Sequence, residues 1–444
     1  MMSSNPENSP SSRSVAIIGA GPMGLAAAYE LSKKGYSVDI FEAGDVVGGM
    51  SASFDFNGLE IERYFHFICA TDFDLFELLD ELKLSDKLHW VNTRMGYFAR
   101  GQMCDWGEPF ALLRFPFLSL MNKIRYAMKV MYCKNLKSFD HLDKLRATDW
   151  LKKWLGETGY DMLWHPLMYQ KFYDLQHEVS AAWIAARVQR VAHSRQSLFK
   201  EKLGYLEGGS ETLLTAMLDE ITKKGGSLTL KKPVTEVTIE KNKVKGLLID
   251  GALKPFDHVI STIALPYVSA IVPGLPAQDH EKLNAIKNVG VVCIIMKLSQ
   301  RFSPYFWLNI NHPGIGMPGI IEYSNLNPLD RHILYVPYYM PQNNEKWQWS
   351  DEQFRDEIIA GFRVMNSGFD EGWIESFHVS RCYHAQPVCT PEYLSKLPPM
   401  KSTVEGFYMA DTSYYYPQDR SITESVKVGK QLAKHVFDSD ARNV

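Results

Sequence analysis

The feature that most constrains this chain lies near its start, where the apolar run 15–18 leads straight into Gly19-Ala20-Gly21-Pro22-Met23-Gly24. A short β-branched run of this kind suits a central parallel strand. Residues 25–34 are strong helix formers, and Gly35 stands where a helix takes a left-handed cap. A second strand over 36–41 ends at Glu42. Strand, G-x-G-x-x-G, helix, strand and acid in this register predict a dinucleotide-binding βαβ unit. Each part has a physical reason. Gly19 permits the tight turn, Gly21 lets backbone approach a pyrophosphate, and Gly24 lets helix and strand pack closely. The helix N-terminus offers amide donors to the anion, and Glu42 is placed to accept from a ribose hydroxyl.

Beyond Glu42 the chain reads Ala43-Gly44-Asp45-Val46-Val47-Gly48-Gly49-Met50-Ser51, a second glycine pair close behind the first motif. From Val15 to Ser51 the sequence resembles the extended dinucleotide signature of the flavin amine oxidase, protoporphyrinogen oxidase and phytoene desaturase superfamily. The resemblance implies non-covalently bound FAD, held by Gly19, Gly21, Pro22, Met23, Gly24, Glu42 and Ala43. It also brings the loop of Gly48, Gly49 and Met50 toward the pyrophosphate and flavin, with Met50 standing where many members carry Arg.

Two later segments extend the resemblance. Residues 206–239 carry a glycine pair before a helix and then Val234, which by that match packs on the adenine. Residues 406–426 are similar to the closing family motif. There Asp411 follows Ala410, where Gly is usual, and matches the acid near the ribityl chain; Ser421, Ile422 and Thr423 open a final helix whose amides face the flavin. The expected fold class is α/β: a discontinuous Rossmann-type FAD-binding domain over 14–65, 195–265 and 398–440, and a mixed α+β substrate domain over 66–194 and 266–397. Residues 1–13, rich in Ser, Asn and Pro, are expected to be a disordered tail.

Composition narrows the partners. A net charge of -3 gives no reason to expect nucleic acid. The six cysteines include no C-x-x-C pair, so no metal site is expected and a reduced, cytoplasmic setting is the simplest reading. No stretch has the roughly 18 uncharged apolar residues of a spanning helix. A homodimer is compatible with the sequence, which defines no interface.

Substrate recognition falls in the less recognisable segments. Over 108–135 apolar residues alternate with Arg114, Lys123, Arg125, Lys129 and Lys134, and 118–133 fits a basic amphipathic helix. Such a helix can lie peripherally on an anionic membrane, roof a tunnel for a lipophilic or lipid-linked small molecule, or pack on its own domain with its lysines in solvent. Residues 149–190 are helical in character and rich in aromatics, among them Trp150, Trp154, Trp164, Phe172 and Trp183, which suit either an apolar substrate wall or a large core. Residues 289–298 and 332–338 read as antiparallel strands.

A flavin accepts hydride itself, so few catalytic side chains are needed. His66 is a candidate acid or base, and Tyr415, within the 414–416 tyrosine run, a candidate to face the ring. Where amine oxidases of the resembled family carry a lysine near the flavin, Cys293 stands instead, which argues against ordinary amine oxidation. Lys171 and Arg420 read either as anion-binding groups or as surface ion pairs. The resemblance implies an FAD-dependent oxidase or dehydrogenase taking a hydride from a fairly hydrophobic small molecule. The alternatives are a redox-neutral flavin-dependent sugar-nucleotide mutase and a non-catalytic FAD-bound membrane-associated protein.

Overall fold

Strand Ser14–Ile18 is the middle of a five-stranded sheet whose order is 227–229, 37–41, 14–18, 258–261, 407–409. Every pairing in it is parallel. The structure, a computed structural model, describes residues 13–197 and 200–442, so all but the last residue of the expected 1–13 tail lies outside the described residues. Side-chain alternation explains why the first strand is wholly apolar. Val15 and Ile17 enter one core with Val38, Ile40, Leu25, Leu213 and Val426, while Ala16 and Ile18 enter another with Phe41, Val237 and Leu247. One layer holds the helices Pro22–Lys33, Gly209–Lys223 and Ile422–Ala441. The other holds an antiparallel three-stranded meander, Glu236–Glu240, Lys243–Ile249 and Ala252–Pro255.

Helix Phe73–Glu81 lies in a stretch expected to serve the substrate, yet Leu75, Leu78 and Leu79 pack in the same core as Val15 and Val426. Its amphipathic spacing buries that stripe against the closing helix. The strand Lys200–Leu206, expected with the nucleotide part, pairs instead with Leu88–Asn92 outside the parallel sheet.

A second, seven-stranded sheet runs in the order 374–387, 288–298, 332–341, 319–322, 307–311, 95–99, 102–106. It is mixed: 307–311 runs parallel to 95–99, and the other pairings with assigned register are antiparallel. The strands Asn288–Leu298 and His332–Pro341 pair antiparallel along their length, as their sequence pattern predicts. Helices Leu120–Lys134, Ala147–Leu163, His165–Phe172 and Ala181–His193 accompany this sheet. Among the described residues no helix is long and apolar enough to cross a membrane.

The basic segment folds as two helices. Pro109 opens the short Pro109–Arg114, and Ser119 caps Leu120–Lys134 by accepting from Asn122 N–H at 3.2 Å. Its facing differs from the expectation of solvated lysines. Leu120, Met121, Ile124, Met128 and Met131 point outward, 46–66% exposed, whereas Lys129 is turned inward and only 3% exposed. At 100° per residue Lys129 lies opposite the apolar stripe, and its Nζ sits 2.7 Å from the centroid of Trp150 and 4.4 Å from that of Trp154.

Candidate active site

The two glycine loops fold onto one another. Gly48 N–H donates to Ala20 O at 2.8 Å, and a Cβ on Gly49 would be 3.6 Å from Gly21 Cα. Gly19, at φ +104°, adopts a backbone that L side chains avoid. A Cβ on Gly21 would meet nothing nearer than Gly48 O at 4.0 Å, so this amide edge is bare toward the space in front of it. Glu42 braces the turn: Ala20 N–H donates to its Oε2 at 2.9 Å and Gly44 N–H to its Oε1 at 2.8 Å. The expected ribose acid is therefore also the brace of the glycine turn.

The closing motif reaches the same space. Ser421 caps helix Ile422–Ala441 by accepting from Glu424 N–H at 3.3 Å. Asp411 is buried and accepts from Leu265 N–H and Ser413 N–H, both at 2.8 Å; burial raises its carboxyl above the usual value, and these donors oppose that. Of the three tyrosines, Tyr415 lines the cavity, with its hydroxyl 2.7 Å from Ser425 Oγ and its pKa raised by burial. Tyr414 instead donates to Pro398 O, and Tyr416 bonds Ser180 and Asp143.

All of this borders one cavity of about 1000 Å³. Gly19, Gly21, Pro22, Met23, Glu42, Gly49 and Met50 line one part, with Asp411, Tyr415, Ser421 and Ile422 beside them. The wall continues through Trp164, Phe172, Trp183, Trp307 and Tyr339. Tyr126 and Val130, on the inner side of helix Leu120–Lys134, also line it, so that helix is a roof.

Five expected contacts stand back from the wall. Gly24 and Gly48 serve packing: a Cβ on Gly24 would lie 2.1 Å from Gly19 O, and one on Gly48 2.8 Å from Ala52. Ala43 does not border the cavity either. Val234 is buried in the core beside Phe41, two residues beyond Lys232, whose N–H donates to Glu42 O. Thr423 is turned away, because its Oγ1 accepts from Leu75 N–H at 3.2 Å. Of the aromatics, Trp150 and Trp154 enclose Lys129 rather than the cavity.

His66 reaches the wall with its Nδ1 2.5 Å from Glu62 Oε2; Glu62 is buried, and its Oε1 accepts from Ser210 N–H at 2.7 Å. Cys293 also lines the cavity from the middle of its strand, and burial holds its thiol well above the ordinary value. Lys171 and Arg420 are not surface pairs: both line the cavity, together with Arg187 and Asp419. Arg187 donates to Asp419 Oδ2 at 2.8 Å. Burial alone would raise the Asp419 carboxyl, but Lys171, Arg187 and Arg420 outweigh it and hold it far below the usual carboxylate range. Burial pushes the Lys171 amine well below its ordinary value. Sequence reasoning missed Arg187 and Asp419. The available signal was a lone arginine on the alanine-rich start of helix Ala181–His193, and an acid directly before Arg420 in the closing motif.

Comparison with known proteins places this geometry. The family model described as flavin containing amine oxidoreductase matches residues 24–419. A 15-cis-phytoene desaturase of Synechococcus elongatus is 24% identical over 276 residues, 58% of this chain and 57% of that protein. A zeta-carotene desaturase of Synechocystis sp. is 27% identical over 292 residues, 59% of this chain and 58% of the relative. The chain thus matches under three fifths of the length of these relatives. Among solved structures, a putative protoporphyrinogen oxidase from Exiguobacterium sp. superposes with a TM-score of 0.74 at 18% identity, covering 96% of this chain and 99% of that one. A putrescine oxidase bound to putrescine gives 0.72 at 18% identity, with 96% and 99% coverage. These structures share the fold.

Proposed function

The chain belongs to the family of flavin-containing amine oxidoreductases, and from that premise we propose that it is an FAD-dependent oxidoreductase acting on a fairly hydrophobic small molecule. One observation carries the reading: a single cavity runs from the bare edge of the glycine loops, past the start of the closing helix, to an aromatic wall. In this reading Gly19, Gly21, Pro22 and Met23 receive the pyrophosphate, with Gly49 and Met50 across from them. Glu42, Ala43 and Val234 belong to the adenosine end, where Lys232 N–H ties the loop carrying Val234 to Glu42. Ser421 and Ile422 present the positive end of helix Ile422–Ala441 to the flavin, a place that favours negative charge. Bound FAD supplies hydride acceptance.

The chain's own residues do the rest. Trp183, Trp307 and Tyr339 hold apolar substrate and exclude water. His66, oriented by Glu62, handles a proton at the wall, and Tyr415 shapes the site next to Ser421. The division of the chain follows the same lines with two exceptions: 14–65, 195–265 and 398–440 serve the nucleotide and 66–194 and 266–397 the substrate, save that helix Phe73–Glu81 packs in the nucleotide core and strand Lys200–Leu206 pairs outside the parallel sheet. Support for it comes from the parallel sheet, which draws strands from all three nucleotide stretches.

The outward stripe of helix Leu120–Lys134 extends the proposal to a partner. Leu120, Met121, Ile124, Met128 and Met131 fall within about 100° of arc on a helix. Lys123 and Lys134 flank the stripe on one side and Arg125 on the other, with exposed Arg114 nearby. An anionic lipid surface matches both the apolar stripe and its basic rim. Because the inner side of the same helix borders the cavity, docking there would set the roof against the bilayer.

The test of the main reading is the absorption spectrum of the purified protein before and after acid denaturation, followed by anaerobic addition of apolar substrates. Release of FAD and bleaching of the bound flavin are the expected results. A colourless protein that takes up no added FAD would sink the reading, and bound FAD that no substrate reduces while a rearranged product forms would favour redox-neutral chemistry.

A further inference from the structure

Three cations and one carboxylate share one aromatic stretch of the cavity wall: Lys171, Arg187, Arg420 and Asp419. Lys171 Nζ lies 4.7 Å from the ring centroid of Tyr339 and 5.1 Å from that of Trp183. The Arg420 guanidinium carbon is 5.4 Å from the Tyr339 centroid, and that of Arg187 is 5.8 Å from Trp183 and 6.0 Å from Trp307. Lys171 thus stands between two arginines, sharing one ring with each.

The hydrogen bonds within the group leave one cation over. Asp419 accepts on both oxygens, Oδ2 from Arg187 at 2.8 Å and Oδ1 from the backbone N–H of Arg420 at 2.9 Å. The Arg420 guanidinium donates to Gln386 Oε1, Ala385 O and Tyr339 Oη. Lys171 Nζ has no hydrogen-bond acceptor among the described residues; it faces the rings of Phe172, Trp183 and Tyr339, and Asp419 is the charge that attracts it. One carboxylate cannot neutralise three cations, and an uncompensated charge in such a wall is costly. Burial, opposed by Asp419 and aided by repulsion from Arg187 and Arg420, pushes the Lys171 amine toward its neutral form. With three cations against one carboxylate, the wall is short of negative charge.

We propose that Lys171, Arg187 and Arg420 form a subsite for an oxyanion, and that the substrate of this enzyme is an apolar molecule bearing a carboxylate or a phosphate group. This rests on the oxidoreductase reading for the word substrate, not for the subsite itself. Trp183, Trp307 and Tyr339 take the apolar body next to the charged end. Binding of the anion recharges Lys171, so each molecule bound takes up a proton from solution when the pH lies above the amine's lowered pKa.

The experiment is calorimetric titration of the FAD-loaded protein with octanoate, octyl phosphate and octanol, in two buffers of different ionisation enthalpy. Intrinsic tryptophan fluorescence, to which Trp183 and Trp307 contribute among the ten tryptophans, serves as a second readout that needs no flavin. At least one anion is expected to bind 10-fold or more tighter than octanol with net proton uptake, and the better of the two identifies the group. Lys171→Met should remove most of that preference. Lys171→Arg should keep it but abolish the uptake, since arginine stays charged. Equal binding of octanol and both anions, no binding by any probe, or an unchanged preference in Lys171→Met overturns the proposal. In protein that does bind FAD, a preference lost on loading the cofactor also overturns it, since that would assign the cations to the cofactor. Protein that holds no FAD fails the oxidoreductase reading alone, because the fluorescence titration still reports on the subsite.

Discussion

The carbonyl oxygen of Gly19 occupies the place a side chain on Gly24 would need: a Cβ there would come within 2.1 Å of it and 2.9 Å of Thr262 Oγ1. The nearest clash is with backbone, so no rotamer change relieves it. Gly24→Ala is expected to destabilise by ~1–3 kcal/mol through overpacking and to distort the turn that carries the bare Gly21 edge. A lower melting temperature together with a reduced flavin-to-protein absorbance ratio would show it. Wild-type flavin content in the variant would detach this turn from cofactor binding.

Glu42 receives a separate backbone donor on each of its oxygens, Ala20 and Gly44. Glutamine offers one acceptor oxygen and one donor group in the same shape, so Glu42→Gln leaves one N–H facing N–H. The expected penalty is ~1–3 kcal/mol, felt at the glycine turn. FAD dissociation followed by fluorescence release should be faster in this variant by on the order of 10-fold or more.

Lys129 yields a pH signature. Burial lowers its pKa from 10.5 to about 7, with no acceptor for its Nζ. Between those values the unfolded chain holds a proton that the folded chain lacks, so this group makes stability rise with pH across the window. Below about 7 its full penalty applies, and above about 10.5 it vanishes. Lys129→Met, close in length and uncharged, should therefore raise the melting temperature most near or below pH 7 and progressively less toward pH 10.5. A difference that does not change with pH would contradict the buried setting.

His66→Asn removes the imidazole beside Glu62 while leaving a polar group of similar reach. If His66 handles the proton, substrate-driven flavin reduction should slow by about 10²-fold with FAD still bound. Stopped-flow absorbance under anaerobic conditions measures this, and an unchanged rate would leave His66 with a structural role.

The outward stripe has its own test. Ile124→Glu with Met128→Glu should abolish cosedimentation with phosphatidylserine vesicles while leaving the unfolding free energy within about 0.5 kcal/mol of wild type, because both side chains are exposed. Vesicle binding that survives the pair, or that is equal for neutral vesicles, would remove the membrane from the proposal. Reversing Lys129 would be uninformative here, since it faces inward.

Legibility in the sequence followed how local the cause was. The glycine turn, the first helix and both flanking strands could be read because each glycine answers a contact within the motif itself, as Gly24 answers Gly19. The helix at 120–134 was readable as an amphipathic period, but a period states that two faces differ, not which one turns inward. Trp150 and Trp154, distant in sequence, decided that by enclosing Lys129. Arg187 and Asp419 were invisible for the same reason: their pairing joins residues 232 positions apart. Thr423 shows the converse, since it sits at the expected helix start but is drawn off by Leu75 N–H, a partner 348 residues away.

The strand order of the parallel sheet bears on how this protein can be made. The strand at 14–18 pairs with the one at 258–261, which in turn pairs with the one at 407–409, and a Cβ on Gly429 of the closing helix would lie 2.6 Å from Met23 O in the first. During synthesis the earliest apolar surfaces, Leu25, Leu31 and their neighbours, leave the ribosome long before the helix that covers them. They stay uncovered until nearly all of the chain has emerged, so the nucleotide unit closes only at the end of synthesis. It also means that any contiguous fragment short of nearly the whole chain lacks part of the nucleotide unit, so point substitution rather than truncation is the way to dissect it.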